Sequence, residues 1–315
     1  MKHLRTLACI LDVAKTGSIR KSAERLALTP SALTRKIQDF EQEMGVELFE
    51  RLPHGMRLNP AGELVVRHIR DQLSDFERVR TQIADLSGER RGHVSVACSQ
   101  AFANEFLPVQ VAAYRREHPL VSFSLMVRDY DNLMPVLSSH EADFAVALKP
   151  PPAPEFHTLL MLDEPVCALF AADHPLAGRE GPVRLRECLR FPVIMPDRSL
   201  ALRHLLDAAR MRMSAPLQVA LETGSFEVMR GFALAEHAVS FQIRGGIPRN
   251  DPRLAARVVD PRDMAPAQIV VGHLRGRTLP VAAAKFMEQV LKALVQGEAG
   301  QAAGRDAAAA APAQA

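Results

Sequence analysis

Four side chains at helical spacing can carry recognition chemistry: Ser31, Thr34, Arg35 and Gln38. They fall opposite Leu33, Ile37, Phe40 and Met44, whose spacing of 4, 3 and 4 makes one apolar stripe. An outward arginine pairs bidentately with guanine, a glutamine pairs with adenine, and short hydroxyls reach phosphate or base edges. The same residues also suit a solvated polar face on any three-helix unit, and this stretch alone leaves both readings open. Other candidates for chemistry are weaker. Ser18-Ile19-Arg20-Lys21 matches the S-x-x-K nucleophile pattern of β-lactamase-like enzymes, but it lies at a helix start without companion motifs. Cys9, Cys98, Cys167 and Cys188 form no C-x-x-C pair, and His140-Glu141 and the other histidines lack metal-ligand spacing. No catalytic residue, metal or cofactor is expected. Isolated thiols suit a reducing compartment, where they are expected to be buried and inert.

The elements that must position the four side chains are punctuated clearly. Residues 2–15 place Leu4, Leu7, Ala8, Leu11 and Ala14 on one helical face. Gly17 breaks that pattern, and Ser18 can cap a second helix over 19–27. After a two-residue turn, Thr29 as N-cap and Pro30 at the first helical position open a third helix, over 30–44, that Gly45 stops. Leu48 to Asn59 reads as a hairpin with Pro53, His54 and Gly55 at its tip. Asn59-Pro60 opens a long helix to about Leu86. On it Ile69, Phe76 and Ile83 recur every seven residues with Leu73 and Val79 beside them, a coiled-coil-like seam.

From His93 the pattern changes. Strands at 93–98, 121–127 and 143–148 alternate with helical stretches at 104–117 and 131–140. A second series has strands near 164–170, 217–221 and 238–242 with helices near 199–210 and 226–235. A strand at 268–274 and a helix at 279–295 close the pattern. Such alternation predicts a parallel, doubly wound sheet. The tail from Gly297 has no pattern and is expected to be disordered.

The chain has 315 residues, too many for one ordinary core. A net charge of +3 does not by itself demand a nucleic-acid partner, so any basic face must be local. No signal peptide and no apolar run of membrane-spanning length is found. A cytoplasmic protein with no membrane partner is expected.

The stretch GSIRKSAERLALTPSALTRKIQDFEQEMGVELFERLPHGMRLNPAGE closely resembles the signature of LysR-type transcriptional regulators. Its landmarks are Gly17-Ser18, Ala23, Leu26, Ala32, Ile37, Glu41, Gly45, Leu48-Phe49-x-Arg51, Leu58 and Ala61-Gly62. Thr29-Pro30-Ser31, Thr34 and Asn59 depart from the commonest family residues, and each keeps a capping or hydroxyl role. The resemblance implies a winged helix-turn-helix at 1–60 whose 30–44 helix enters the major groove, with the hairpin arginine Arg51 near the backbone or minor groove. Ser31, Thr34, Arg35, Gln38, Arg51 and Arg57 form the candidate DNA-contacting set. The resemblance makes 61–91 a linker and dimerisation helix with hinge, using Ile69, Leu73, Phe76, Val79 and Ile83.

Residues 92–296 resemble the two-lobed α/β effector domain of that family, of periplasmic-binding-protein (type 2) fold. The first lobe takes about 92–163 and 269–296, the second about 164–268, and the tail is 297–315. Ligands in open α/β sheets bind beyond strand C-termini, where helix N-termini offer N–H groups. That rule, together with the positions where relatives bind coinducers, selects Ser99, Gln100, Phe102, Arg128, Lys149, Thr223, Ser225 and Gln242. The hydroxyls can donate to a carboxylate and the cations can neutralise it, so a small anionic metabolite is expected. A plain helix cap is the alternative for Ser225, and solvated surface charge is the alternative for Arg128 and Lys149. Relatives usually carry a Gly-x-Gly-like turn where this chain has Ala235-Glu236-His237. Non-glycine residues disfavour positive φ, so a different loop is expected. The partners implied are a double-stranded DNA operator, a small-molecule effector, further copies in a homodimer or homotetramer, and RNA polymerase. Two rivals remain at this point: an enzyme on a periplasmic-binding-like fold, and an effector-independent DNA-binding protein.

Overall fold

A computed structural model describes residues 2–53, 55–86, 91–128, 130–148, 152–213, 217–248 and 251–309. Two compact units divide the chain, one ending at Ile83 and the other beginning at Ala84. In the first, α1 (Lys2–Thr16), α2 (Ile19–Arg25) and α3 (Pro30–Met44) precede a hairpin. The hairpin joins β1 (Phe49–Leu52) to β2 (Gly55–Leu58) and leads into α4 (Pro60–Leu86). The caps are side-chain oxygens: Ser18 Oγ accepts from the Lys21 N–H at 3.4 Å and Thr29 Oγ1 from the Ala32 N–H at 3.2 Å. Gly45 closes α3 in the left-handed region at φ 71°.

Leu7, Ile10 and Val13 of α1 meet Leu33 and Ile37 of α3, with Leu48, Val66 and Ile69, in one buried core. Each such side chain contributes about 1.5–3 kcal/mol of burial. Met44, the expected fourth member of the α3 stripe, is instead 50% exposed. It is the last helical residue, one turn past Phe40, where the core ends.

Main-chain contacts fasten the hairpin to the helices. The Met56 N–H donates to Gly17 O at 2.8 Å and the Asn59 N–H to Leu48 O at 3.0 Å. Glu41 Oε1 accepts from the Leu48 N–H at 2.7 Å, and Asn59 Oδ1 from the Gly62 N–H at 2.7 Å. Gly62 is required by close approach, because a Cβ there would lie 2.1 Å from Leu48 O.

The second unit begins with β3 (Gly92–Cys98), α5 (Gln100–Ala103), α6 (Phe106–Glu117), β4 (Val121–Val127), α7 (Leu133–Ser138), β5 (Phe144–Leu148) and β6 (Phe156–Glu164). The chain then crosses into a second lobe. That lobe holds β7 (Val166–Ala171), α8 (Leu185–Cys188), β8 (Val193–Pro196), α9 (Ala201–Arg210), β9 (Val219–Thr223), α10 (Phe226–Glu236), β10 (Ser240–Ile243) and β11 (Leu254–Val258). It returns through β12 (Ala267–Leu274) and α11 (Val281–Ala309).

The first lobe's sheet runs β4-β3-β5-β12-β6, with β3 parallel to β4 and β5, and β12 antiparallel to β5 and β6. In the second lobe β7 lies antiparallel between β10 and β11, while β8 and β9 pair in parallel. The expected all-parallel sheet is therefore mixed, because strands that cross between lobes enter from the opposite end. Strands β6, β8 and β11 and helix α8 are absent from the sequence reading. β6 has mostly exposed side chains, and β8 and α8 are four residues long, too short for a period to show.

Phe102, Phe144, Phe170, Phe241 and Phe286 are fully buried in this unit. Asp143 and Arg277 form a buried pair at 2.9 Å, and Asp143 Oδ2 also accepts from the Ser95 N–H. Burial pushes the Asp143 carboxyl up, while Arg277 pulls the other way. Helix α11 continues through Ala309, where disorder is expected from Gly297 onward. Its alanines have the highest intrinsic helix preference, which a reading based on apolar pattern does not register.

Candidate nucleic-acid interface and effector cleft

On α3 the buried Leu33, Ile37 and Phe40 turn Ser31, Arg35 and Gln38 to the exposed face. Thr34, half-buried, donates its hydroxyl to Pro30 O at 2.8 Å, which leaves its oxygen free only to accept. Ser31 Oγ lies 3.1 Å from Thr29 Oγ1. Arg51 is exposed on β1. Arg57, opposite Glu50 in the hairpin register, is tied to its carboxylate at 2.8 Å. Such an exposed pair is weak, so Arg57 is a restrained cation rather than a free one. Between α3 and the hairpin lies an open concavity of about 1130 Å³ to which Arg20, Thr34, Gln38 and Arg51 contribute. Glu41 also borders it. Its role in holding Leu48 has no spacing signature and escapes sequence reasoning, although the residue belongs to the motif.

The α4 seam divides in two. Ile69 is buried in its own unit's core and Leu73 packs against that core, whereas Phe76, Val79 and Ile83 are 40%, 43% and 59% exposed. Ile69 therefore has no surface left for a second copy, and the free seam reduces to the last three.

In the second unit one expected residue, Gln100, bonds across the two lobes, while Ser99, Thr223, Ser225 and Gln242 bond within their own lobe. Gln100 Oε1 accepts from the Phe226 N–H, the first residue of α10, at 2.6 Å. Asn104 Nδ2 donates to Glu227 Oε1 at 2.6 Å, a second link that the sequence reading missed. Gly246 lies against α5, where a Cβ would be 2.9 Å from Ala101 O. Ser225 caps α10, its Oγ accepting from the Val228 N–H at 3.3 Å, and Thr223 Oγ1 accepts from the Ser225 N–H. The helix cap that the sequence offers as the alternative for Ser225 is thus present in the structure. Ser99 Oγ accepts from the Leu148 N–H at 3.1 Å, joining the ends of β3 and β5. Gln242 is buried, with Oε1 accepting from the Ile243 N–H at 3.1 Å.

Three expected members do not join this set. Phe102 is 1% exposed and sits in the core beside Phe106. The ring is buried in the core of this unit. Arg128 turns its guanidinium back to Val127 O at 2.9 Å. Lys149 lies outside the described residues.

The turn after α10 corrects another expectation. His237 itself adopts φ 49°, so the left-handed step occurs without glycine. Its Nδ1 lies 3.5 Å from Asp173. A non-glycine residue in that region costs roughly 1–2 kcal/mol. Nearby, His174 stacks on Phe170, and burial pushes its pKa down.

Among the described residues, no three His, Cys, Asp or Glu side chains are grouped to hold a metal, and no helix is long and apolar enough to cross a membrane. All four cysteines are buried and free. Burial pushes the Cys98 and Cys188 thiols up to about 12 and Cys167 to about 11.

Residues 4–63 match the family described as bacterial regulatory helix-turn-helix protein, lysR family, and residues 87–295 match the LysR substrate binding domain. The chain is 30% identical over 255 residues to the HTH-type transcriptional regulator CbbR of Xanthobacter flavus, covering 77% of this chain and 75% of that protein. Its fold is similar to that of full-length OxyR from Pseudomonas aeruginosa, with a TM-score of 0.69 at 19% identity over 91% of this chain and 94% of the other. It is also similar to full-length CbnR complexed with its target DNA, with a TM-score of 0.60 at 18% identity over 92% and 99%.

Proposed function

The chain belongs to the LysR family of bacterial DNA-binding transcriptional regulators, and from that premise we propose how its two units divide the work. The first unit lays α3 in the major groove of an operator. The observation that carries this is the exposed Arg35 and Gln38 face opposite a fully buried Leu33-Ile37 stripe, on a helix capped at both ends. Arg35 reads guanine, Gln38 reads adenine, and Arg51 contacts the sugar-phosphate backbone. Phe76, Val79 and Ile83 pair with a second copy, and dimers pair again as a tetramer, so that two recognition helices meet a partly palindromic site. The regulator works in the cytoplasm, without turnover of its ligand, and meets RNA polymerase at the promoter.

The second unit binds a small carboxylate between its lobes. The anion takes the place that Gln100 Oε1 holds at the N-terminus of α10, where the N–H groups and the helix dipole favour negative charge. The hydroxyls of Thr223 and Ser225 stand beside it. Binding alters operator affinity only by the ligand's differential affinity for two arrangements of the protein.

The test is footprinting on the DNA upstream of the protein's own coding region. A salt-sensitive protected region with two half-sites is expected. Equal, weak binding to any duplex would remove the sequence-specific reading. Thermal stabilisation of the full chain by a panel of small carboxylates tests the second unit.

A further inference from the structure

The second lobe holds a cavity of about 820 Å³ beside the two chain crossings, and none of the cleft residues above lines it. Its walls include Val166 of β7, Val258 at the end of β11, Val259 and Met264. Both crossings contribute: Asp163 near the end of β6 and Pro165 between β6 and β7, and Pro261 and Pro266 between β11 and β12. The volume falls in the range of about 300–1,000 Å³ usual for small-molecule sites.

Three arginines border the cavity, and they are not equivalent. Arg257 commits its guanidinium to the carbonyls of Ala177, Arg179 and Ala256 at 2.5, 2.8 and 3.0 Å. Arg179 is paired with Glu187. Arg244 is exposed, and among the described residues nothing holds its guanidinium. Its own N–H donates to Pro165 O at 3.1 Å, which sets it at the first crossing. Asp163 and Glu180 are carboxylates on the same border, and Asp163 accepts from Gln268 at 3.4 Å.

We propose that this cavity is a second small-molecule site, separate from the cleft, that takes an amphipathic monoanion. A flat apolar body rests on Val166, Val258 and Met264, and the acidic group meets Arg244. A second negative charge on the ligand would face Asp163 or Glu180, which restricts the class to one acidic group. The cavity stands independently of the cleft reading. Because both crossings line it, an occupant touches the two segments whose backbone angles set the disposition of the lobes. Its binding is therefore linked to that disposition.

The test titrates the full-length protein with 8-anilinonaphthalene-1-sulfonate and with N-phenyl-1-naphthylamine, the same rings without the sulfonate, and follows dye fluorescence. One sulfonate-binding component is expected to vanish in Ala256→Phe, which fills the cavity. Arg244→Gln is expected to weaken that component by about tenfold, the size of one charge-assisted contact, and to leave the neutral dye unchanged. Sulfonate affinity unaltered in both variants overturns the site. Equal affinity for the two dyes, or equal weakening of both by Arg244→Gln, overturns the anion assignment. Should Ala256→Phe misfold, Arg244→Gln at an exposed side chain still decides.

Discussion

On α3, Arg35 and Gln38 stand exposed, whereas around the cleft Ser99, Gln100 and Gln242 each accept a main-chain N–H of their own unit. The residue types are comparable and their states differ. A face that reads a duplex must present its donors before contact, and water holds them in the meantime. Around the cleft the side-chain oxygens already accept from main-chain N–H groups, Ser99 and Gln242 within their own lobe and Gln100 across to the other. The contrast implies different energetics. DNA binding must overcome side-chain entropy and is driven by counterion release, while ligand binding must exchange existing internal bonds for equivalent ones.

The largest effect expected on this contrast comes from Gly62. Gly62→Val drives a side chain into Leu48 O, a backbone atom that cannot yield, and should destabilise the first unit by roughly 3 kcal/mol or more. DNA binding in a mobility-shift assay should disappear while ligand-induced stabilisation of the second unit survives. Loss of both together would show that the units do not fold separately.

Alkaline pH should act on the other unit. Cys98, Cys167 and Cys188 lie in the second unit with pKa values of about 12, 11 and 12, raised by burial. A folded-state value above the unfolded one means that the folded protein holds its proton more tightly. The stability is intact below about pH 9 and falls above it, by about 1.4 kcal/mol per pH unit for each thiol. Urea unfolding at pH 8, 9 and 10 should show this slope, and Cys98→Ala with Cys188→Ala should flatten it. An unchanged slope in that double variant would assign the effect to other groups.

Arg35→Ala should cost roughly 1–3 kcal/mol of binding to the operator and little on random DNA. An equal loss on both would make Arg35 a phosphate contact. The smallest change is at Gln100. Gln100→Ala removes the bond to the Phe226 N–H and should lower the stability of the ligand-free second unit by about 1 kcal/mol. Hydrogen exchange at that amide should quicken. If the amide stays protected, the lobes are held together by something other than this bond.

Legibility differed between the units for a physical reason. In the first, caps, stops and the apolar stripe act over a few residues, so Thr29, Pro30 and Gly45 announce α3 without help from distant chain. What stayed hidden there was tertiary, as with Glu41 reaching Leu48 and Ile69 turning inward. In the second, Gln100 meets Phe226 from 126 positions away, and no local pattern encodes that meeting. Phe102 and Ser225 show the same limit. Both lie where a strand-end rule points, yet one ring packs inward and one hydroxyl caps its own helix. The mixed sheet was hidden likewise, since strand direction depends on where the chain re-enters a lobe.

The hairpin's fastening has a consequence for the duplex itself. Gly17 O, Glu41, Leu48, Asn59 and Gly62 bind helix, hairpin and α4 through main-chain groups and two side-chain oxygens that leave little room to adjust. On the proposed reading, with α3 in the groove and the hairpin as wing, their separation is nearly constant, and any mismatch with the groove is absorbed by bending or narrowing of the DNA. Base steps that deform cheaply become favourable even where no side chain touches them. Part of the operator's sequence is then written in its mechanical compliance.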